Sequence, residues 1–110
     1  MDALQAIGDP VRRRMVELLS REELSAGELS RDVEQEFGIS QPAASRHLRV
    51  LREVGLVSSR VDAQSRVYAL EPAAVDELAA WTDGIRRFWS QRLDALGTEL
   101  TRGRRSHDRS

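Results

Sequence analysis

The 110-residue chain has no cysteine and no lysine, only three prolines, and an aromatic content of 5%. Without cysteine, disulfides, thiolate metal sites and thiol redox sensing are excluded. No apolar run approaches the length of a membrane span, and no basic-then-apolar leader opens the chain. The expectation is a cytoplasmic protein with no membrane partner. Enzyme signatures are missing too. There is no Gly-rich phosphate loop, metal-binding His pair or Cys nucleophile, and no context singles out a Ser–His–Asp set. Catalysis and a cofactor are therefore not expected.

Hydrophobic residues make up 40% and charged residues 32%, which suits one soluble globular domain with a real core. The net charge of −1 does not point to nucleic acid, but its distribution does. Residues 41–66 carry Arg46, Arg49, Arg52, Arg60 and Arg66 against Glu53 and Asp62. Residues 101–110 hold four arginines against Asp108, and the remainder is acidic. All 17 basic residues are arginine, which a GC-rich coding sequence explains as well as function does. The argument therefore rests on where the arginines stand.

Apolar spacing predicts a short first helix over 2–8, with Leu4 and Ile7 on its apolar side. Asp9-Pro10 restarts the chain as cap and first helical residue of a second helix ending near residue 20. Val11, Met15, Leu18 and Leu19 face its core side. Ser25 and Glu28 have capping-box spacing and open a third helix, with Leu29, Val33 and Phe37 inward and Gly38 at its end. Ser40 caps a fourth helix, Pro42 fits its first turn, and Gly55 takes the left-handed conformation that stops it. Ala44, Leu48 and Leu51 form its inward stripe. Gln41, Ser45, Arg46, Arg49 and Arg52 point elsewhere.

That arginine-faced helix suits the major groove, where Arg and Gln pair bidentately with purine edges. Joined to the third helix by a short Gly-containing turn, it makes a helix-turn-helix. Past Gly55 the period changes to two. Val57–Val61 and Arg66–Leu70 alternate around the polar Asp62–Ser65, giving a two-stranded wing. The expected DNA contacts are Ser40, Gln41, Ala43, Ser45, Arg46, Arg49, Arg60 and Arg66. Gln41 alternatively serves only to cap the helix, and Arg60 and Arg66 sit where phosphates are reached. His47 reads as a hydrogen-bonded histidine at the core edge, and His107 has no assigned role.

Glu71-Pro72 opens a last helix that runs to about Leu100, with Val75, Leu78, Trp81, Ile85, Phe88, Trp89, Leu93, Leu96 and Leu100 in steps of three and four. So long a stripe needs a partner helix. The expected self-association surface is Leu4, Ile7, Leu78, Trp81, Ile85, Phe88 and Trp89. A small-molecule pocket between terminal helices is the rival use of the aromatic stripe. Gly84 marks either close helix approach or a tolerated helical glycine. Residues 1–100 thus read as one DNA-binding and dimerisation domain, and 101–110 as a basic disordered tail. The fold class is mainly α with a small two-stranded β-wing: a winged helix-turn-helix dimerised through its terminal helices.

The order of elements resembles the ArsR/SmtB family of winged-helix repressors over residues 3–100. Two segments carry the resemblance: Ala6-Ile-Gly-Asp-Pro-Val-Arg-Arg-Arg-Met-Val-Glu-Leu-Leu19, and Ser40-Gln-Pro-Ala-Ala-Ser-Arg-His-Leu-Arg-Val-Leu-Arg-Glu-Val-Gly-Leu-Val57. The stretch Phe88–Leu96 looks like a branch encoded beside lipid-binding-like proteins. The resemblance implies a homodimer that occupies a near-palindromic double-stranded DNA operator and blocks transcription, often of its own operon. Many relatives release DNA on binding a metal. Here Glu28-Leu-Ser-Arg-Asp32 stands where the family's thiolate pattern lies, and residues 71–100 contain no histidine. The expectation is therefore the branch that senses no metal, released by an unknown small-molecule or protein signal. Arg31–Phe37 is about one turn longer than usual, which either displaces the reading helix or only extends the third one. The competing function is a winged-helix protein-interaction module that does not read DNA.

Overall fold

The computed structural model describes the backbone of residues 1–108 and the side chains of residues 1–100. It contains two compact units, Met1–Leu78 and Ala79–Ser110. The first holds α1 (Ala3–Ala6), α2 (Pro10–Leu19), β1 (Leu24–Ser25), α3 (Ala26–Phe37), α4 (Gln41–Glu53), β2 (Val57–Asp62) and β3 (Ser65–Leu70). α5 (Pro72–Asp108) begins there and supplies the second unit.

Local chemistry sets most boundaries. Asp9 Oδ1 accepts from the N–H groups of Val11 and Arg12, and Pro10 occupies the first turn of α2. Ser25 Oγ accepts from Glu28 N, and Ser40 Oγ from Ala43 N. Gly38 and Gly55 sit at φ 64° and 79°, the left-handed region that stops α3 and follows α4. α1 carries a full capping box: Asp2 Oδ1 accepts from Gln5 N, and Gln5 Oε1 from Asp2 N.

The inward stripes meet in one core. Val11, Met15 and Leu19 of α2 pack with Leu29 and Val33 of α3, and with Ala44, Leu48 and Leu51 of α4. Leu18 and Phe37 are only partly buried, at the core's edge. Ala6, Leu24, Leu56, Val57 and Tyr68 complete the core. Each fully buried Leu, Val or Met contributes roughly 1.5–3 kcal/mol. Residues 31–37 are helical and belong to α3, which Gly38 ends. Glu36 of α3 accepts from Arg14 of α2 at 3.0 Å. Glu36 and, secondarily, Glu17 raise the Arg14 pKa above its ordinary value.

Two expectations need correction. The sheet has three strands in the order β1-β3-β2, not two. Leu24 pairs with Tyr68 and Ser25 with Val67, so a two-residue strand flanks the wing. Two residues are too few to show alternation in a sequence, and tertiary pairing creates the strand. α5 also continues through Asp108 rather than stopping near Leu100. The basic tail expected at 101–110 otherwise lies outside the described side chains, as does His107.

Candidate nucleic-acid interface

α4 buries Ala44, Leu48 and Leu51, and this orientation turns its polar positions outward. Gln41, Arg46, Arg49 and Arg52 are exposed, while Ala43 and Ser45 are half-buried. Gln41 Nε2 donates to Ser45 Oγ at 2.8 Å, one helical turn along. That bond orders the glutamine while Oε1 and a second amide hydrogen stay open. A bidentate approach to adenine remains available. The cap is supplied by Ser40, whose Oγ accepts from Ala43 N, while the Gln41 amide is held by Ser45.

α3 and α4 enclose an open groove of about 570 Å³, closed on one side by Tyr68. Its lining includes Arg31 and Glu34 from α3 and Gln41, Ser45, Arg49 and Arg52 from α4. Three guanidinium groups against one carboxylate make the groove cationic. The guanidinium groups of Arg46, Arg49 and Arg52 form no hydrogen bond or ion pair with the described side chains, so their donors are open to an anion. Sequence reasoning missed Arg31 and passed over Arg52 as a contact. Arg31 precedes the reading helix and shares a wall with it only once α3 and α4 pack.

The wing arginines are engaged. Arg60 pairs with Glu23 at 2.7 Å, and Arg66 donates to Ser59 Oγ at 3.1 Å. Both side chains are exposed, so both can exchange these partners for a phosphate. His47 is half-buried and hydrogen-bonded to Arg12, as a core-edge histidine should be.

The expected self-association residues fall into different settings. In the first unit Leu4 is 37% exposed, whereas Ile7 and Leu78 already pack partly against the core. In the second, Trp81, Ile85, Phe88, Trp89, Leu93, Leu96 and Leu100 are all exposed, Trp81, Phe88 and Trp89 by more than half. Arg92 lies over the Phe88 ring at 5.7 Å from its centroid. A Cβ at Gly84 would meet nothing within 4 Å in the single chain. Among the described residues no three His, Asp or Glu side chains gather as a metal site. No described helix is long and apolar enough to cross a membrane.

A helix-turn-helix domain family matches residues 7–60. The chain is 42% identical over 91 residues to the HTH-type transcriptional regulator Rv2034 of Mycobacterium tuberculosis, covering 83% of this chain and 78% of that one. It is 30% identical over 80 residues to the transcriptional repressor SdpR of Bacillus subtilis, covering 73% and 84% respectively. Among solved structures, an ArsR family transcriptional regulator superposes with a TM-score of 0.65 at 25% identity, covering 79% of this chain and 86% of the other.

Proposed function

The chain belongs to the ArsR family of winged helix-turn-helix transcriptional regulators, and from that membership we propose a homodimeric repressor that reads a near-palindromic operator. α4 of each subunit enters one of two successive major grooves, about 34 Å apart. Arg46, Gln41 and Ser45 read base edges. Arg49, Arg60 and Arg66 hold phosphates, joined by Arg31 and Arg52 of the groove. The exposed stripe from Trp81 to Leu100 is covered by the same stripe of a second copy. The protein acts in the cytoplasm and is released by a signal other than a metal.

One observation carries this reading: α4 presents three exposed arginines, none with its guanidinium partnered by a described side chain, beside an outward-held Gln41. A protein-interaction module has no need of such a row on its helix-turn-helix. A gel shift on duplex DNA from the protein's own promoter region, with a salt titration, tests the reading. Affinity should fall steeply and linearly on a log–log salt plot. Salt-insensitive binding, or none at low salt, would reject it.

A further inference from the structure

The reading helix is tied to the start of α2 by a polar cluster that DNA contact does not explain. Arg12 Nε donates to the Ala6 carbonyl at 2.8 Å, where α1 ends. Its Nη1 lies 3.1 Å from Nδ1 of His47, on α4. Asp9 Oδ1, the cap of α2, is 3.7 Å from the same nitrogen and accepts from Arg12 N at 3.1 Å. One arginine side chain thus spans α1 and the reading helix.

The chemistry of this contact is restrictive. A guanidinium has five donors and no acceptor. His47 must therefore accept at Nδ1, which requires a neutral ring carrying its proton on Nε2. A proton added at Nδ1 would point at the guanidinium, two cations at hydrogen-bond distance. The ring would then turn to the Asp9 carboxylate and release Arg12. Among the described residues, Arg12 and Asp9 are the charged side chains in contact with the ring. α1 adds only the Ala6 carbonyl, and Met1 Sδ lies 4.0 Å from Arg12 Nη2. On α4 itself, Arg46 and Arg49 flank His47 in sequence and are exposed.

We infer that Arg12 and His47 are positioning residues for DNA reading: neutral His47, held by Arg12, sets the seat of α4, and its protonation loosens that seat and weakens operator binding. This rests on the DNA-reading assignment above. Its sign separates it from simple charge attraction. A positive charge added to a DNA-reading helix should tighten binding to phosphate. Loss of the seat should weaken it.

The test is fluorescence anisotropy on a labelled duplex from the protein's own promoter region, between about pH 5 and 8 at fixed ionic strength. A His107→Gln background leaves His47 as the one imidazole. Affinity should drop about tenfold toward the acid end, the size of one charge-assisted hydrogen bond. His47→Asn places an amide oxygen near the Nδ1 position and does not titrate. It should keep near-neutral affinity and flatten the pH profile. His47→Ala and Arg12→Leu should bind about tenfold more weakly at every pH. Nitrogen NMR of the DNA-free protein should show the Nε2–H tautomer near neutrality. A flat profile, tighter binding at low pH, an unaltered profile in His47→Asn or an Nδ1–H tautomer would each overturn the inference. No binding by any variant, at any pH and low salt, would instead overturn the DNA-reading assignment itself.

Discussion

Arg60 illustrates how a side chain's partner changes its reading. Its place near the end of a wing strand marks it as a phosphate contact, yet in the free protein Glu23 holds it at 2.7 Å. Glu23 comes from the segment before β1, which the folded sheet sets beside β3, and its side chain reaches Arg60 of β2 from there. If Arg60 serves DNA, Glu23 competes with the phosphate. Glu23→Gln should then raise DNA affinity about two- to fivefold, the range of an exposed ion pair. In an Arg60→Ala background the same change should have little effect, and a double-mutant cycle by anisotropy measures the difference. Equal gains in both backgrounds would mean that Glu23 only repels DNA at a distance. The α4 arginines separate by a different readout. Arg46→Ala should cost roughly 1–3 kcal/mol and relax sequence preference, as expected of a base contact. Arg52→Ala should weaken all sequences alike and lower the salt slope by about one. Competition binding with operator and scrambled duplexes distinguishes the two, and a scrambled-duplex loss equal to the operator loss for Arg46→Ala would reassign it to phosphate.

Helices α2, α3 and α4 could be read in advance because their ends are written in local chemistry. Gly38 is the sharpest case. A side chain there meets nothing within 4 Å, so only its φ of 64° resists substitution. Gly38→Ala should therefore cost about 1 kcal/mol, the left-handed penalty for an L-residue, with no steric addition. Thermal denaturation should register a fall of about 4–8 °C. An unchanged midpoint would show that the turn relaxes to another conformation. Ala63, at φ 56° in the wing turn, is the reverse case, a non-glycine in that region. The elements that escaped prediction lack this kind of local signal. β1 exists because Leu24 and Ser25 meet Tyr68 and Val67, residues more than forty positions away. The continuation of α5 past Leu100 has no apolar stripe to announce it, since residues 101–110 are polar or charged. The capping box of α1 was visible as Asp2-x-x-Gln5 and was simply not read as one. At the site, the Arg-faced side of α4 followed from its period, whereas the shared groove with Arg31 and the Arg12–His47 tie needed the packing of three helices.

The cationic face of α4 and the exposed apolar stripe of α5 belong to different units of the chain. In the first, the outward face of α4 is cationic and the core is closed by short helices. In the second, seven large apolar side chains from Trp81 to Leu100 stand exposed at helical spacing. A monomer with that much apolar surface in water is disfavoured at about 25 cal/mol per Å² left uncovered. In the proposed dimer, pairing the same stripe from two copies removes it, and the assembly carries two copies of α4. The two consequences are linked, because joining two weak half-site contacts raises the effective concentration of the second. Trp89→Ala should weaken self-association by about 2 kcal/mol or more, the cost of truncating a central aromatic anchor. Since Trp89 is already 56% exposed within one chain, the fold should survive, and circular dichroism checks this. Sedimentation equilibrium should show the variant shifted toward monomer at micromolar concentration while the parent protein stays dimeric. On DNA, the variant should lose affinity for a duplex with both half-sites but match the parent protein on a single half-site. A parent protein that sediments as a monomer would remove the second copy from this account. A variant that dissociates yet keeps full operator affinity would show that each α4 reads its site alone.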